Sequence, residues 1–194
     1  MKFPLSPITL LLVSALTIAA CGGEKKPEPD PNARQAVNIP LAENQPNAIN
    51  PVEVPEENLP DLSGLTEIER QIFKRSVALQ VPYYDEQYKW AERANTINDG
   101  QEAAAALKEY MNIQNRFARS MQQLDLEFSG KLDPNYAGSK AFDKAIDQYM
   151  NDPNLMKRLD FIVESVASLM KRFKNDPACK SILAEVERLA RQSQ

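Results

Sequence analysis

The sequence contains no histidine, and this absence removes several kinds of chemistry. Without imidazole the chain cannot form a Ser-His-Asp or Cys-His nucleophile system, or a zinc site ligated by histidine. It also has no side chain whose ordinary pKa lies near neutrality. A Gly-rich phosphate loop, a Gly-x-Ser-x-Gly element and a Cys-x-x-Cys pair are missing as well. We therefore predict no catalytic residue, no cofactor and no metal ligand.

Cysteine is scarce, and long apolar runs are missing. The chain has 2 cysteines, Cys21 and Cys179. The longest apolar stretch is residues 8–20, which is shorter than the roughly 20 residues that a membrane-spanning helix needs. A retained transmembrane helix is therefore not expected.

The first twenty residues are arranged like an export signal. Lys2 provides the positive charge, the stretch 8–20 provides the apolar segment, and small residues precede Cys21. The sequence Ile18-Ala19-Ala20-Cys21 resembles the lipobox of bacterial lipoprotein precursors. An ordinary secretory signal followed by an incidental cysteine is the alternative.

The resemblance to lipoprotein precursors implies a lipid anchor at Cys21. It implies cleavage before this cysteine, attachment of diacylglycerol to its thiol, and acylation, for example by palmitate, of the new amino terminus. Several acyl chains hold a protein on a membrane far more firmly than one chain does. Position 22 is Gly rather than the Asp that favours the inner membrane, so the resemblance implies the periplasm-facing leaflet of the outer membrane.

Residues 21–61 have the composition of a linker. From position 22 onward this stretch holds eight of the 14 prolines, eight acidic residues against three basic ones, and no aromatic residue. Such a segment cannot bury enough apolar surface to offset the entropy of an ordered chain. We predict a disordered, partly polyproline tether, and a short partner-binding motif at residues 37–41 or 52–55 is the alternative.

Residues 62–194 show helical periodicity and no strand alternation, so the predicted fold is all-α. A capping box at Thr66 and Glu69 opens a helix to about Gln80, and Pro82 starts or kinks a second segment. The further predicted helices span 101–128, 139–150, 153–173 and 177 onward, and Asp-Pro pairs open the last two. We expect a compact antiparallel bundle of five or six helices.

One segment of this domain is unusually aromatic. Tyr83, Tyr84, Tyr88 and Trp90 lie on two faces of a single helix, which is difficult to bury in one amphipathic stripe. Either the helix is central and the rings form core, or one face is exposed and contacts a partner. We keep these four residues as a tentative interaction site and favour core packing.

The other reactive side chains have simple interpretations. Cys179 falls on the apolar face of the last helix, so we predict a buried residue rather than a reactive thiol. Acid pairs such as Asp85 with Glu86, or Asp143 with Asp147, have basic neighbours and are expected on solvated faces.

The tether and the helical domain differ in net charge. Residues 62–194 carry 19 basic and 19 acidic residues, so the net charge of -4 belongs to the tether and leader. A charge-balanced exported domain is not expected to bind nucleic acid. The leading hypothesis is a lipid-anchored, non-enzymatic envelope module that binds a protein partner. The alternatives are a pilotin-like lipoprotein that assists secretin assembly and an envelope enzyme that uses carboxylates.

Overall fold

The computed structural model describes residues 48–132 and 138–192, without the side chains of 186–192. Within these ranges the chain is helical and has no strand. One short 3-10 turn, Glu56–Asn58, precedes five helices: α1 (Glu67–Ala94), α2 (Gly100–Phe128), α3 (Lys140–Met150), α4 (Pro153–Arg172) and α5 (Pro177–Gln192). The predicted all-α bundle is confirmed.

Each helix begins where a side chain can accept hydrogen bonds from free backbone amides. The capping box of α1 forms as predicted, with Thr66 accepting from Glu69 and the Glu69 carboxylate accepting from the Thr66 backbone. Asp99, Ser139 and Asp152 cap α2, α3 and α4 in the same manner. These caps satisfy donors that a helix cannot satisfy internally.

Pro82 does not start a second helix, so this one of its two predicted roles, with a helix end near Gln80, is wrong. The helix continues through the proline to Ala94. Proline has no backbone N–H, so the Ala78 carbonyl one turn earlier loses its helical donor. The Val52 N–H donates to this carbonyl over 3.0 Å. A neighbouring segment thus replaces the hydrogen bond that the proline removes.

Helices α1 and α2 form an antiparallel pair. Three ion pairs cross their junction at successive levels: Arg75 with Glu127, Glu86 with Arg116, and Arg93 with Glu109. Exposed pairs contribute roughly 0–1 kcal/mol each, so they specify register more than stability. The buried residues between the two helices provide the main stabilisation.

Helices α3 and α4 share the second side of α1, and α4 runs in the same direction as α1. Near the start of α1 the Phe73 ring meets the rings of Phe142 and Tyr149 edge-on, with centroids 6.2 and 6.1 Å apart. Further along, Asp85 of α1 pairs with Arg158 of α4. Toward the end of α1, Asn95 donates to Ser165 of α4 over 2.8 Å. Helix α1 is therefore central, with α2 on one side and α3 and α4 on the other.

The spacing of the two Asp-Pro pairs predicts that α4 and α5 pack against each other as an antiparallel pair, and this prediction is wrong because α5 makes few contacts with α4. Instead, α5 packs extensively along α2. The two helices begin side by side, and a Cβ atom at Gly100 would lie 2.0 Å from Asp176 Oδ2. Asp176 in turn accepts from the Ala178 N–H over 2.8 Å and caps α5. Only a residue without a side chain permits this close approach.

The packed part of the chain begins before residue 62. Residues 48–61, which the composition assigned to the tether, lie against the bundle, and we call them the strap. Ile49 is buried, and its N–H donates to Ser120 Oγ of α2 over 2.9 Å. Glu56 of the strap pairs with Lys74 of α1 at 2.5 Å. Composition overlooked the strap because a few apolar anchors suffice to dock a proline-rich segment.

Candidate functional site

The predicted aromatic segment forms core rather than an exposed surface. The Tyr83 ring is fully buried and stacks on Phe117 of α2, with centroids 3.9 Å apart and planes 9° from parallel. Its hydroxyl donates to Gln114 Oε1 over 2.6 Å and accepts from Gln87 Nε2 over 3.0 Å. Burial raises the pKa of Tyr83 well above its ordinary value, so the ring stays neutral.

The other three aromatics of the segment also contact neighbouring helices. Trp90 is buried, and its indole N–H donates to the Ala106 carbonyl over 2.7 Å. Tyr84 is buried, and the half-buried Tyr88 contacts Phe161 of α4, with ring centroids 5.1 Å apart. Because α1 is central, both of its aromatic faces find a partner helix. The core interpretation is confirmed for Tyr83, Tyr84 and Trp90.

The acidic pair at the start of this segment does not converge. Asp85 pairs with Arg158 of α4, whereas Glu86 pairs with Arg116 of α2. The two carboxylates therefore point toward different helices. Acid–base catalysis by a carboxylate pair needs both groups at one reacting centre.

Cys179 is a buried residue, as predicted. It is fully enclosed, and its Sγ lies 3.3 Å from the Gly100 carbonyl, to which the thiol donates. Burial and the nearby Asp176 and Asp99 carboxylates raise the pKa of the Cys179 thiol. Both effects disfavour the thiolate, which is the reactive form.

A groove of about 690 Å³ opens between the strap, α1 and the α3–α4 junction. This volume lies within the range of about 300–1,000 Å³ typical of binding sites. Its floor is apolar and combines residues from all three walls: Val54, Leu59, Val77, Val81, Tyr149 and Leu155. The buried Tyr84 ring lies below the same floor.

The rim of the groove is acidic. Glu53, Glu57 and Asp61 follow the strap, and Asp152 lies on the opposite wall; all four are exposed. The Ser63 N–H donates to Asp61 Oδ1 over 2.9 Å, and this bond lowers the pKa of Asp61. Four carboxylates therefore surround an apolar floor, and we call them the acidic rim.

The acidic rim also affects the pKa of Tyr149 on the floor of the groove. Burial raises the pKa of Tyr149 to about 12, and the Asp152 carboxylate adds to this shift. Tyr149 is consequently a neutral, partly apolar element of the floor at neutral pH. Among the described residues, Arg158 is the one basic side chain that lines the groove. It is already paired with Asp85 and lies 5.1 Å from the centre of the Tyr88 ring.

Sequence reasoning missed this groove because it depends on the strap. The Val-Pro-x-x-x-Leu-Pro pattern at residues 54–60 resembled a linker, although its Val54 and Leu59 side chains pack against the core. The one local signal was the presence of two apolar residues, Val54 and Leu59, among the acidic residues and prolines of this segment. That signal does not reveal which helices provide the opposite wall.

Several predictions fall outside the described residues. They include the leader 1–20, the lipidation site Cys21 and the tether up to residue 47. Within the described residues, no helix is long and apolar enough to cross a membrane. The same part of the chain holds no group of three or more acidic or cysteine residues arranged to ligate a metal ion.

The fold and groove define a helical bundle with a docked N-terminal strap. Comparisons with protein-family models, with curated proteins and with solved structures found no match to this chain. Function must therefore be inferred from the geometry and chemistry of the chain itself.

Proposed function

We propose that this protein is a lipid-anchored binding module of the bacterial cell envelope. Cys21 carries the lipid, and the bundle binds a protein partner through the groove without performing catalysis. The observation that carries this proposal is the position of the strap. The segment that leads from the lipidation site toward the bundle ends as one wall of the groove, with Ile49 buried in the core.

The leader supports the anchoring part of the proposal. Ile18-Ala19-Ala20-Cys21 provides the residues at which lipoprotein precursors are cleaved and acylated, and Gly22 favours the outer membrane. Up to 26 residues separate Cys21 from Ala48, where the described chain begins. The disordered tether that the composition predicts would span about 25–30 Å at this length and would let the groove reach partners above the membrane surface.

The groove supports binding to a protein. A concave surface with an apolar lining and a few polar groups is the usual form of a binding site. Two of the exposed large apolar residues, Val52 and Met156, directly adjoin groove-lining residues in sequence. The enzyme alternative required Asp85 and Glu86 to converge on one site. These two carboxylates are instead paired with arginines on different helices.

Two measurements test the proposal. Mass spectrometry of the mature protein is expected to show acyl chains on Cys21, and Cys21→Ser is expected to release the protein from the membrane fraction. An unmodified amino-terminal Cys21 in membrane-extracted protein would exclude the anchor.

The binding part is tested by photo-crosslinking in the native envelope. A photoreactive amino acid at position 57 or 154, on the two walls of the groove, is expected to capture a discrete protein. The matched control is position 92 on the exposed end of α1. Equal capture from all three positions, or none, contradicts a groove-mediated contact. A captured secretin subunit would identify the pilotin-like alternative.

A further inference from the structure

The groove combines three chemical features that together restrict its ligand. The first is the acidic rim. Glu53 and Glu57 are exposed and have no ion-pair partner among the described residues. On the surface of α2, by contrast, Glu109 and Glu127 are paired with arginines. The unpaired charges favour a cationic ligand and repel anionic phospholipid headgroups.

The second feature is the apolar floor. Val81 of α1 and Leu155 of α4 are half-buried, and Val77, one turn before Val81 on α1, is buried. A ligand that covers this floor removes apolar surface from water, which contributes about 25 cal/mol per Å². A small hydrophilic cation would leave the floor uncovered, so the ligand must also carry an apolar group.

The third feature is a set of side-chain amides. Asn58 on the strap, Gln148 on α3 and Asn154 on α4 line both sides of the groove. Each amide donates through its NH2 group and accepts through its oxygen. The backbone of an extended peptide offers the complementary donors and acceptors, whereas a helical segment has used its own internally.

We propose that the groove binds an extended segment of a partner protein that carries an apolar side chain flanked by lysine or arginine. The apolar side chain lies on the floor, the basic side chains meet the acidic rim, and the backbone contacts the amides. This inference rests on the proposed function and adds the chemistry of the ligand.

The test measures binding of synthetic peptides to the full-length protein in detergent by fluorescence anisotropy. The probe is a nine-residue peptide with a central Leu-Phe pair flanked by lysines. One comparison peptide has glutamates in place of the lysines, and another has alanines in place of the Leu-Phe pair. We expect saturable binding of the first peptide only, weakening as salt screens the charges.

Charge reversal locates the binding site. The double variant Glu53→Lys, Glu57→Lys is expected to weaken binding of the lysine peptide by about tenfold or more, and to improve binding of the glutamate peptide. Both positions are exposed, so neither change disturbs the core. The matched control is Glu92→Lys, an exposed glutamate eight residues beyond Tyr84 on α1, about 12 Å along the helix.

The outcomes separate this inference from the proposed function. Equal binding of the lysine and glutamate peptides, or equal loss in the double variant and in Glu92→Lys, overturns the inference. Absence of peptide binding together with groove-specific crosslinking in the envelope overturns it too, but leaves the proposed function intact. Binding seen only after deletion of residues 22–45 would assign the groove to the protein's own chain and contradict a partner ligand.

Discussion

The two sides of α1 differ in how completely their neighbours cover them. Toward α2, the Tyr83 ring stacks on Phe117, and its hydroxyl has two hydrogen-bond partners. Toward the strap and α4, the half-buried Val81 and Leu155 form the floor of an open groove. One helix thus has a sealed face that stabilises the fold and an open face that borders the proposed binding groove. The contrast indicates that substitutions on the two faces should separate folding from ligand affinity.

Phe117→Ala tests the sealed face and has the largest expected effect. Removal of a fully buried aromatic ring costs about 3–5 kcal/mol, because the lost contacts leave a cavity. The matched change on the open face is Leu155→Ala, for which we expect a loss of about 1 kcal/mol. Urea unfolding followed by Trp90 fluorescence measures both. Equal losses would show that the two faces do not differ as described.

Pro82→Ala tests how the strap is attached to α1. The new N–H at position 82 can donate to the Ala78 carbonyl and compete with Val52. We expect the free energy of unfolding to rise by up to about 3 kcal/mol through helix propensity, while the strap loosens. Hydrogen exchange at the Val52 amide should become faster.

The control for this change is Pro153→Ala at the first turn of α4, where no helical hydrogen bond is missing. It is expected to leave exchange at Val52 unchanged. If Pro82→Ala also leaves that amide protected, the carbonyl accepts from both donors and the proline is not needed for docking.

Tyr83→Phe tests the polar part of the sealed face. The ring contact with Phe117 is kept, but Gln87 loses its acceptor and Gln114 loses its donor. Leaving a buried polar group without a hydrogen-bond partner costs about 1–3 kcal/mol. The larger part of this cost is expected from Gln87, which is buried, and the smaller part from Gln114, which is half-buried. Urea unfolding of Tyr83→Phe beside Tyr88→Phe provides the comparison, since Tyr88 is only half-buried. A larger loss in Tyr88→Phe would contradict the role of this hydrogen-bond pair.

Alkaline pH is expected to weaken both faces gradually. Burial raises the pKa values of Tyr110 and Tyr149 to about 12, above the value of about 10 in the unfolded chain. Stability from these groups is therefore complete below about pH 10 and is lost as pH rises toward about 12, because only the unfolded chain ionises readily.

Urea unfolding at a series of pH values above 9 measures this decline. Burial also raises the pKa values of Tyr83 and Tyr84, so Tyr149→Phe removes one of four such groups and is expected to reduce the slope in part. An unchanged slope would show that Tyr149 ionises equally in both states. Below pH 9 the absence of histidine predicts little change across the neutral range.

Local sequence signals predicted the elements of the fold well. Thr66 with Glu69, and Asp152 with Pro153, mark helix starts because capping involves only neighbouring residues. Pro82 misled the prediction because the donor that compensates for it, Val52, lies thirty positions away. A hydrogen bond between distant segments leaves no local pattern.

The candidate site was less predictable than the fold. The sequence shows that the aromatic segment is unusual. Whether its rings are buried or exposed depended on whether α1 has neighbouring helices on two sides. The groove was missed because its walls come from the strap, α1, α3 and α4, which are distant in sequence. Periodicity describes one element at a time and does not specify which elements meet.

The sequence by itself determined the helical class, the helix starts, the burial of Cys179 and the absence of any histidine chemistry, because these follow from residue identity and local spacing. Only the tertiary structure decided that α1 is central, that Pro82 is tolerated, and that an acidic strap closes one side of an apolar groove. These features arise when distant segments share a hydrogen bond or a buried surface, and the energy of such contacts exists only in the assembled fold.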